Sequence, residues 1–297
     1  MTFAPCELCP RRCGVDRTAG QTGFCGMSDR VRVARAAPHF GEEPCISGTR
    51  GSGTVFFSGC CLGCDYCQNA PISLERNGVD LDGVSALRRV FEALVAQGVH
   101  NLSLVTATHF LPAILPALEP GLGVPVVYNT GGYETTQTVE SLAGTVDVWL
   151  PDLKYAEENL AAARSRAGDY FPVATAAIRQ MVEQTGPPVF DREGMLVRGV
   201  LIRHLVLPGQ VQNSLKVLDW IAETFEPGRV LVSLMGQYTP AGPVAAQSPM
   251  DRPVTREEYR AVLDWMAMLG LDQGYWQELS SATTEQIPAF DGTGVKL

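Results

Sequence analysis

The chain has 297 residues, of which 45% are hydrophobic and 19% charged, a composition that is ordinary for a globular protein with a sizeable core. Its 23 Lys and Arg against 32 Asp and Glu give a net charge of −9, which argues against a nucleic-acid or anionic-lipid partner. The sequence contains no run of 18 apolar residues, so it predicts no membrane span. The first residues lack an apolar signal core, and we therefore expect a cytoplasmic protein.

The nine cysteines are confined to the first quarter of the chain, between Cys6 and Cys67. In a reducing compartment this confinement indicates metal binding or catalysis rather than disulfides. Residues 1–53 are rich in Gly, Arg and Cys and show little periodicity. We therefore expect them to form an irregular, cysteine-rich N-terminal extension that depends on a bound ligand for its stability.

This extension contains four cysteines that could act together as metal ligands: Cys6, Cys9, Cys13 and Cys25. Four thiolates can close a tetrahedral site around zinc, or hold an auxiliary iron–sulfur cluster that relays electrons. We predict a second bound metal here, with zinc and iron–sulfur as open alternatives and four free thiols as the simplest one. Cys45 is more typical of a small buried side chain than of a ligand.

Short apolar runs alternate with amphipathic stretches in the rest of the chain. Three helices are expected: from Asp82 to Gln97, from Asn213 onward, and after Thr255, which can form a capping box with Glu258. The candidate strands are rich in Val, Leu and Ile, as strands buried on both faces should be. They are residues 54–57, 102–106, 124–128, 146–150, 197–207 and 230–234.

This alternation predicts an α/β protein built from right-handed βαβ units around a parallel sheet. Six units fit a partial (β/α)6 TIM-type barrel over residues 54–270, with functional loops after the strands. The polar tail, residues 271–297, is expected to pack on the outside of the barrel.

A second group of cysteines directly follows the first predicted strand of the barrel. Three residues separate Cys60 from Cys64, and two separate Cys64 from Cys67. Three thiolates on one loop suit an iron–sulfur cluster with one open iron, whereas structural zinc usually takes four ligands in evenly spaced pairs. Spacing alone also permits a register that starts at Cys61.

The three-cysteine loop and six motifs along the chain resemble the radical S-adenosylmethionine (SAM) superfamily. They are similar to its pyruvate formate-lyase activating enzyme-like branch, and in particular to homologues with an N-terminal cysteine-rich segment. The likeness extends over nearly the whole chain, in the right order. The motifs are Phe56 to Cys60, Cys67 to Asn69, Tyr128 to Tyr133, Pro151 to Lys154, Ile202 to Gly209 and Met235 to Tyr238.

The resemblance implies a [4Fe-4S] cluster on Cys60, Cys64 and Cys67, with SAM bound at the open iron. Reductive cleavage of SAM would yield methionine and a 5′-deoxyadenosyl radical that abstracts hydrogen from a substrate, which makes the enzyme an oxidoreductase. A flavodoxin or ferredoxin would supply the electron. The protein could activate a glycyl radical enzyme, or modify a small molecule or peptide directly. An iron–sulfur electron carrier or a structural metal protein is the alternative of another class.

Strand ends supply the candidate SAM contacts. Asp152 and Lys154 alternate on one strand end and so share a face, where they could bind a zwitterion or ribose hydroxyls. An ordinary ion pair is the simpler interpretation. Asn129 ends another strand, and Gly131 allows the backbone to approach a ligand closely, although a plain glycine turn would look the same.

Arg203 and His204 face opposite ways on a long strand, so we expect one of them to reach the ligand. A lone His on a strand is more often a satisfied core residue, and the resemblance alone makes His204 a candidate SAM contact. Tyr66, just before the third cysteine, is a further candidate. The family's Gly-Gly-Glu motif for the SAM amino group is replaced by a segment with Thr108, and Cys61 stands where homologues often have Asn.

Overall fold

The computed structural model describes residues 1–241, 244, 246–281 and 287–295. The strands in these ranges are β1 (Arg32–His39), β2 (Ser52–Phe57), β3 (Val79–Asp80), β4 (Leu102–Val105), β5 (Val126–Thr130), β6 (Val148–Pro151), β7 (Val189–Phe190), β8 (Leu196–Leu205), β9 (Leu231–Met235) and β10 (Gly274–Trp276). The helices are α1 (Pro44–Ser47), α2 (Ala70–Ser73), α3 (Gly83–Val95), α4 (Leu111–Leu118), α5 (Thr136–Glu140), α6 (Glu158–Ser165), α7 (Tyr170–Thr185), α8 (Val211–Thr224) and α9 (Arg256–Met268). Two 3-10 turns lie at Thr108–Phe110 and Leu279–Ser281.

The strands form one sheet in the order β10-β9-β8-β6-β5-β4-β2-β1-β3, with β7 attached to β8. All neighbours from β2 to β10 along this path are parallel, whereas β1 pairs antiparallel with both β2 and β3. The six predicted barrel strands are confirmed as β2, β4, β5, β6, β8 and β9. The path is open rather than closed in the described ranges, as expected of a partial barrel.

Helices cover the sheet through apolar faces. In α3 the buried residues Leu87, Val90, Phe91 and Leu94 recur at helical spacing and join the main core. The predicted capping box starts α9, since the Thr255 hydroxyl accepts from the Glu258 amide and the Glu258 carboxylate accepts from the Thr255 amide. No described helix is both long and apolar enough to cross a bilayer.

The N-terminal extension is less irregular than its composition indicates. The residues before Arg32 lack regular structure, but β1 and α1 lie wholly within residues 1–53, and β2 begins there. The tail also contributes to the sheet, because β10 pairs with β9. Nearer the end of the chain, the Thr293 carbonyl accepts a 2.9 Å hydrogen bond from the Ala36 amide of β1. The extension and the tail therefore each contribute a strand to the sheet.

Candidate functional site

The parallel strands bring their carboxyl ends to one edge of the sheet, and the three-cysteine loop follows β2 at that edge. Gly59 turns the chain out of the strand with a φ of +85°, and a Cβ there would meet Met27 and the Cys25 carbonyl. Only glycine adopts this conformation without strain and without collision. The turn therefore presses the cysteine loop, defined here as residues 59–69, against the N-terminal extension.

Each thiol of the predicted ligand set has a polar neighbour. The Leu62 amide donates to Cys60 Sγ at 3.4 Å, the Ser73 hydroxyl donates to Cys67 Sγ at 3.3 Å, and Cys64 Sγ lies 2.9 Å from Ser165 Oγ. Such hydrogen bonds stabilise coordinating sulfurs and tune the potential of a cluster.

The thiols differ in acidity. A hydrogen bond with the Cys61 thiol lowers the pKa of Cys60 to about 6, whereas burial raises the pKa of Cys64 to about 12. Burial also raises the pKa of Cys67. Buried thiols of this kind become ligands when a metal cation replaces the proton.

The thiols are not arranged around a single ion. Nowhere in the described ranges do three His, Cys, Asp or Glu side chains converge as ligands of one metal ion. Zinc would hold sulfurs at about 2.3 Å from itself, and hence within about 4.6 Å of one another. A cubic cluster instead spreads its ligands over separate irons, and this is the arrangement that the sequence predicts for the three-cysteine loop.

The same finding applies to the four cysteines of the extension. Cys6, Cys9 and Cys25 lie near one another, but the Cys13 thiol accepts a 3.3 Å hydrogen bond from the Phe24 amide. The structure thus gives no support to a metal of either kind at these cysteines, and the second metal stays a prediction.

Arg11 connects the extension to the cysteine loop. Its guanidinium donates to the Cys61 carbonyl at 2.8 Å and to the Ser165 and Arg166 carbonyls at 3.0 and 2.5 Å. The last two belong to the C-terminal end of α6, where a cation is electrostatically favoured. The Cys61 thiol lies against the Cys60 and Cys9 thiols, 3.8 Å from the Tyr133 carbonyl.

An ion network occupies the ends of β5, β6 and β8 beside this loop. Asp152 pairs with Lys154 at 2.5 Å and with Arg203 at 3.0 Å, and Arg203 reaches Glu42 at 2.9 Å. Asn129 completes the network, since its Oδ1 accepts from Arg203 at 2.6 Å and its Nδ2 donates to Glu42 at 3.0 Å. We call these five residues the ion network.

The charges of the ion network stabilise one another in a mostly buried setting. Burial alone would raise the pKa of Asp152, but Lys154 and Arg203 reverse that effect and hold this pKa below its usual value. Burial alone would lower the pKa of Lys154, but the attraction of the Asp152 carboxylate is larger, so the Lys154 pKa is raised above its usual value. Asp152, Lys154 and Arg203 are therefore expected to stay charged near neutral pH.

The ion network lines a cavity of about 220 Å³ that opens to solvent. Its five members share the wall with Gln68 and Asn69, which directly follow Cys67 in the chain. The cysteine loop and the cavity are therefore adjacent. The structure brings together four of the residues predicted from the strand ends: Asn129, Asp152, Lys154 and Arg203.

His204 does not reach the cavity, which corrects the expectation that it contacts SAM. It is fully buried, and its Nδ1 and Nε2 lie 2.6 Å from the Leu153 carbonyl and 2.8 Å from the Ser214 hydroxyl. Burial lowers its pKa to about 4, so it is neutral. His204 is a satisfied core residue, and Arg203 is the one that faces the ligand side.

Tyr66, Thr108 and Gly131 surround the site without lining the cavity. The Tyr66 hydroxyl bonds that of Tyr155 at 2.7 Å in the core. A Cβ on Gly131 would meet Leu62 of the cysteine loop at 2.7 Å, so this glycine allows the two loops to pack closely. These three residues are better explained as supports of the cysteine loop and its surroundings than as SAM contacts.

Glu134 and Glu42 were missed by the sequence reasoning. Glu134 Oε1 accepts from Thr108 at 2.6 Å and from Thr130 at 2.5 Å, while burial raises its pKa to about 8. Its position just after the glycines that follow β5 was the available signal. Glu42 lies in the extension, where no motif or periodicity marked it.

No family model matches the chain. An uncharacterized protein of Methanocaldococcus jannaschii is 26% identical over 286 residues, which cover 92% of this chain and 77% of that protein.

Two solved structures have a similar arrangement of elements. Streptococcus suis SuiB bound to precursor peptide SuiA is 13% identical with a TM-score of 0.48, over 75% of this chain and 48% of SuiB. The chain thus spans about half the length of SuiB. Methylornithine synthase (PylB) is 12% identical with a TM-score of 0.48, over 90% of this chain and 74% of that one.

Proposed function

We propose that the chain is a radical SAM enzyme that abstracts a hydrogen atom from its substrate. The observation that carries the proposal is the adjacency of two features at the carboxyl edge of a parallel partial barrel. One is a loop with three thiols suited to a cluster, Cys60, Cys64 and Cys67, and the other is a cavity walled by the ion network. In this proposal the three thiolates hold a [4Fe-4S] cluster.

The ion network suits the amino-acid end of SAM, which carries an ammonium and a carboxylate. Lys154 and Arg203 can bind the carboxylate, while Asp152 and Glu42 can accept from the ammonium or from ribose hydroxyls. With the cluster and SAM bound, one-electron cleavage of SAM supplies a 5′-deoxyadenosyl radical. The protein's part is to hold both charged groups in a fixed position and to keep water from the reacting atoms.

The partners follow from this chemistry. A flavodoxin or ferredoxin would deliver the electron. Activation of a glycyl radical enzyme and direct modification of a small molecule or peptide share the same hydrogen abstraction and differ in substrate. These substrates can be distinguished by labelling each candidate with deuterium. The true substrate is the one whose deuterium appears in 5′-deoxyadenosine.

Replacement of Cys60, Cys64 and Cys67 together by Ala tests the proposal. After anaerobic reconstitution, we expect this variant to lose four irons per chain, the electron paramagnetic resonance signal of the reduced cluster, and cleavage of SAM to methionine. Cys45→Ala is the matched control, because Cys45 is a buried cysteine of α1 outside the site. Full iron content and SAM cleavage in the triple variant would refute the assignment.

The same iron, sulfide and zinc measurements test the N-terminal cysteines. Iron and sulfide beyond the first cluster, lost when Cys6, Cys9, Cys13 and Cys25 are replaced by Ser, would support a second cluster. Zinc lost in the same variant would support a structural ion. Unchanged metal content in that variant would leave four ordinary thiols.

A further inference from the structure

A second cavity lies on the other side of Glu42 and Arg203. It has a volume of about 340 Å³ and opens to solvent at the mouth of the barrel. Its wall includes the segment from Phe40 to Pro44, and residues of β9 and β10. Met235 and Gln237 also line both cavities, so a molecule in one cavity can touch a molecule in the other.

The two cavities differ in charge. The ion network contains two carboxylates and two cations, and each of these is paired within it. In the second cavity Arg203 is the only Lys or Arg among the described lining residues, and its guanidinium is already engaged by the ion network. Glu43 and Glu278 add two further carboxyl groups. The ionisable side chains of the ion network balance in the first cavity, whereas carboxyl groups outnumber cationic side chains among the described residues that line the second.

Glu43 is the distinctive group of the second cavity. It is only 9% exposed, and its Oε2 has no hydrogen-bond partner among the residues that the structure describes. Burial raises the pKa of this carboxyl above its usual value, with Arg203 offsetting part of the effect. A hydrogen bond with Ser233 offsets a further part of this effect, and Oε2 is the oxygen that stays without a partner among the described residues. A buried oxygen without a partner costs free energy, and a cation bound beside it would remove that cost.

We infer that the second cavity binds a cationic group of the substrate, an alkylammonium or guanidinium, with Glu43 as its counter-ion. A metal ion fits less well, because three ligand side chains do not converge there in the described residues. The inference deepens the proposed function, and the assignment of the cation to a substrate rests on it. The substrate class is then a basic compound or a peptide with a basic side chain.

Two aromatic side chains at the cavity support an organic cation. Phe40 is 62% exposed and Trp276 is 60% exposed, which is unusual for side chains of this size. Both line the second cavity. Exposed aromatic faces attract ammonium and guanidinium groups and also cover the alkyl chain that carries them. The cavity thus offers a carboxyl group for the charge and apolar surface for the stem.

Calorimetric binding to the reconstituted protein, with SAM present, tests the inference. The probes are N-acetyl-lysine methylamide, its norleucine counterpart, and two heptapeptides with central Lys or norleucine. We expect a Lys probe to bind at least tenfold more tightly than the norleucine probe of equal size. Preference in the small pair indicates a free basic compound, and preference in the peptides alone indicates a peptide side chain. Equal binding of Lys and norleucine in both pairs, or no binding of any probe, would overturn the inference.

Variants locate the binding group. Glu43→Gln keeps the size of the side chain and should weaken the Lys probe about ten- to a hundredfold, the range for one charge-assisted contact. Glu223→Gln, on the exposed surface of α8, is the matched control and should have no effect. Trp276→Leu should weaken the probe about two- to fivefold. Because Trp276 is exposed, this variant remains informative even if Glu43→Gln does not fold. Wild-type affinity in both variants would contradict the assignment.

Iron content and SAM affinity, measured on the same samples, separate this inference from the proposed function. Glu43→Gln should leave both unchanged, since Glu43 is not among the residues lining the first cavity. Loss of Lys-selective binding with intact iron and SAM binding is the expected result. Selective Lys binding in a protein that binds no SAM would uphold the cation site and refute the proposed function.

Discussion

Asp152→Asn removes one charge from the ion network and keeps the shape of the side chain. Asp152 is the only carboxylate that reaches both Lys154 and Arg203 in the network. Without it, Lys154 loses its carboxylate partner and Arg203 keeps only Glu42. The side chains of Asp152, Lys154 and Arg203 are 14%, 17% and 13% exposed, so water can solvate the released charges only in part.

The expected loss of stability follows from this burial. Removing one partner of a buried ion pair costs about 3–5 kcal/mol, because the remaining charge stays buried without compensation. An unfolding entropy of about 2.1 cal/mol/K per residue over 297 residues gives about 620 cal/mol/K. Each kcal/mol therefore lowers the melting temperature by about 1.6 °C, and the variant should melt about 5–8 °C below the wild type.

Differential scanning calorimetry at pH 7, without SAM, measures this shift. The Asp152 pKa is below its usual value in the folded protein, so its stabilising contribution is complete above the unfolded pKa and is lost as pH falls through the folded one. At pH 7 the contribution is fully present. Glu157→Gln is the matched control, since the Glu157–Lys216 pair has a similar 2.7 Å distance but side chains 37% and 56% exposed.

The exposed control pair should be worth about 0–1 kcal/mol, and thus less than about 2 °C. If Asp152→Asn melts no lower than Glu157→Gln, the network is no stronger than a surface ion pair and the reasoning from burial is wrong. With SAM present, the proposed function further expects a ten- to hundredfold weaker affinity in Asp152→Asn.

Two further outcomes are expected. Burial lowers the pKa of His204 to about 4 in the folded protein, whereas an unfolded His has a pKa of about 6.5. Between these values the unfolded state is protonated at His204 and the folded state is not. The unfolding free energy should therefore fall as pH drops from about 6.5 to about 4. Urea titrations across this range should show a shallower fall in His204→Asn, and identical slopes would contradict the burial of a neutral imidazole. Cys61→Asn should retain the iron of the first cluster, measured per chain, because in the proposed function Cys61 is a hydrogen-bonding neighbour of the Cys60 and Cys9 thiols and not a ligand. Iron loss in this variant, with Cys60→Ala tolerated, would show that Cys61 is the ligand.

The barrel strands could be predicted because each is a short apolar run buried on both faces, a strong local signal. The strand β1 lacks that signal: its sequence contains three Ala, two Arg and a Pro. Its place in the sheet depends on pairing with β2 and on a bond from its Ala36 amide to Thr293. Such distant contacts cannot be deduced from composition, so residues 1–53 were expected to be irregular.

The site, like the fold, could be predicted in part from the sequence. Motifs at strand ends located Asp152, Lys154, Asn129 and Arg203, because carboxyl ends of parallel strands share one edge. The alternation of side chains along β8 predicts that Arg203 and His204 point to opposite faces of the sheet. It does not predict which of the two faces the cavity. That choice depends on the Leu153 carbonyl and the Ser214 hydroxyl, which lie on other elements.

The contacts of Arg11 have a consequence for synthesis of the chain. Its partners at the end of α6 are 154 and 155 residues further along, so they do not yet exist when the extension leaves the ribosome. At roughly 5–20 residues per second, that gap lasts about 8–30 s. During this interval Arg11 cannot hold the extension against the end of α6. The cysteines of the extension therefore reach their final position only after α6 has been synthesised.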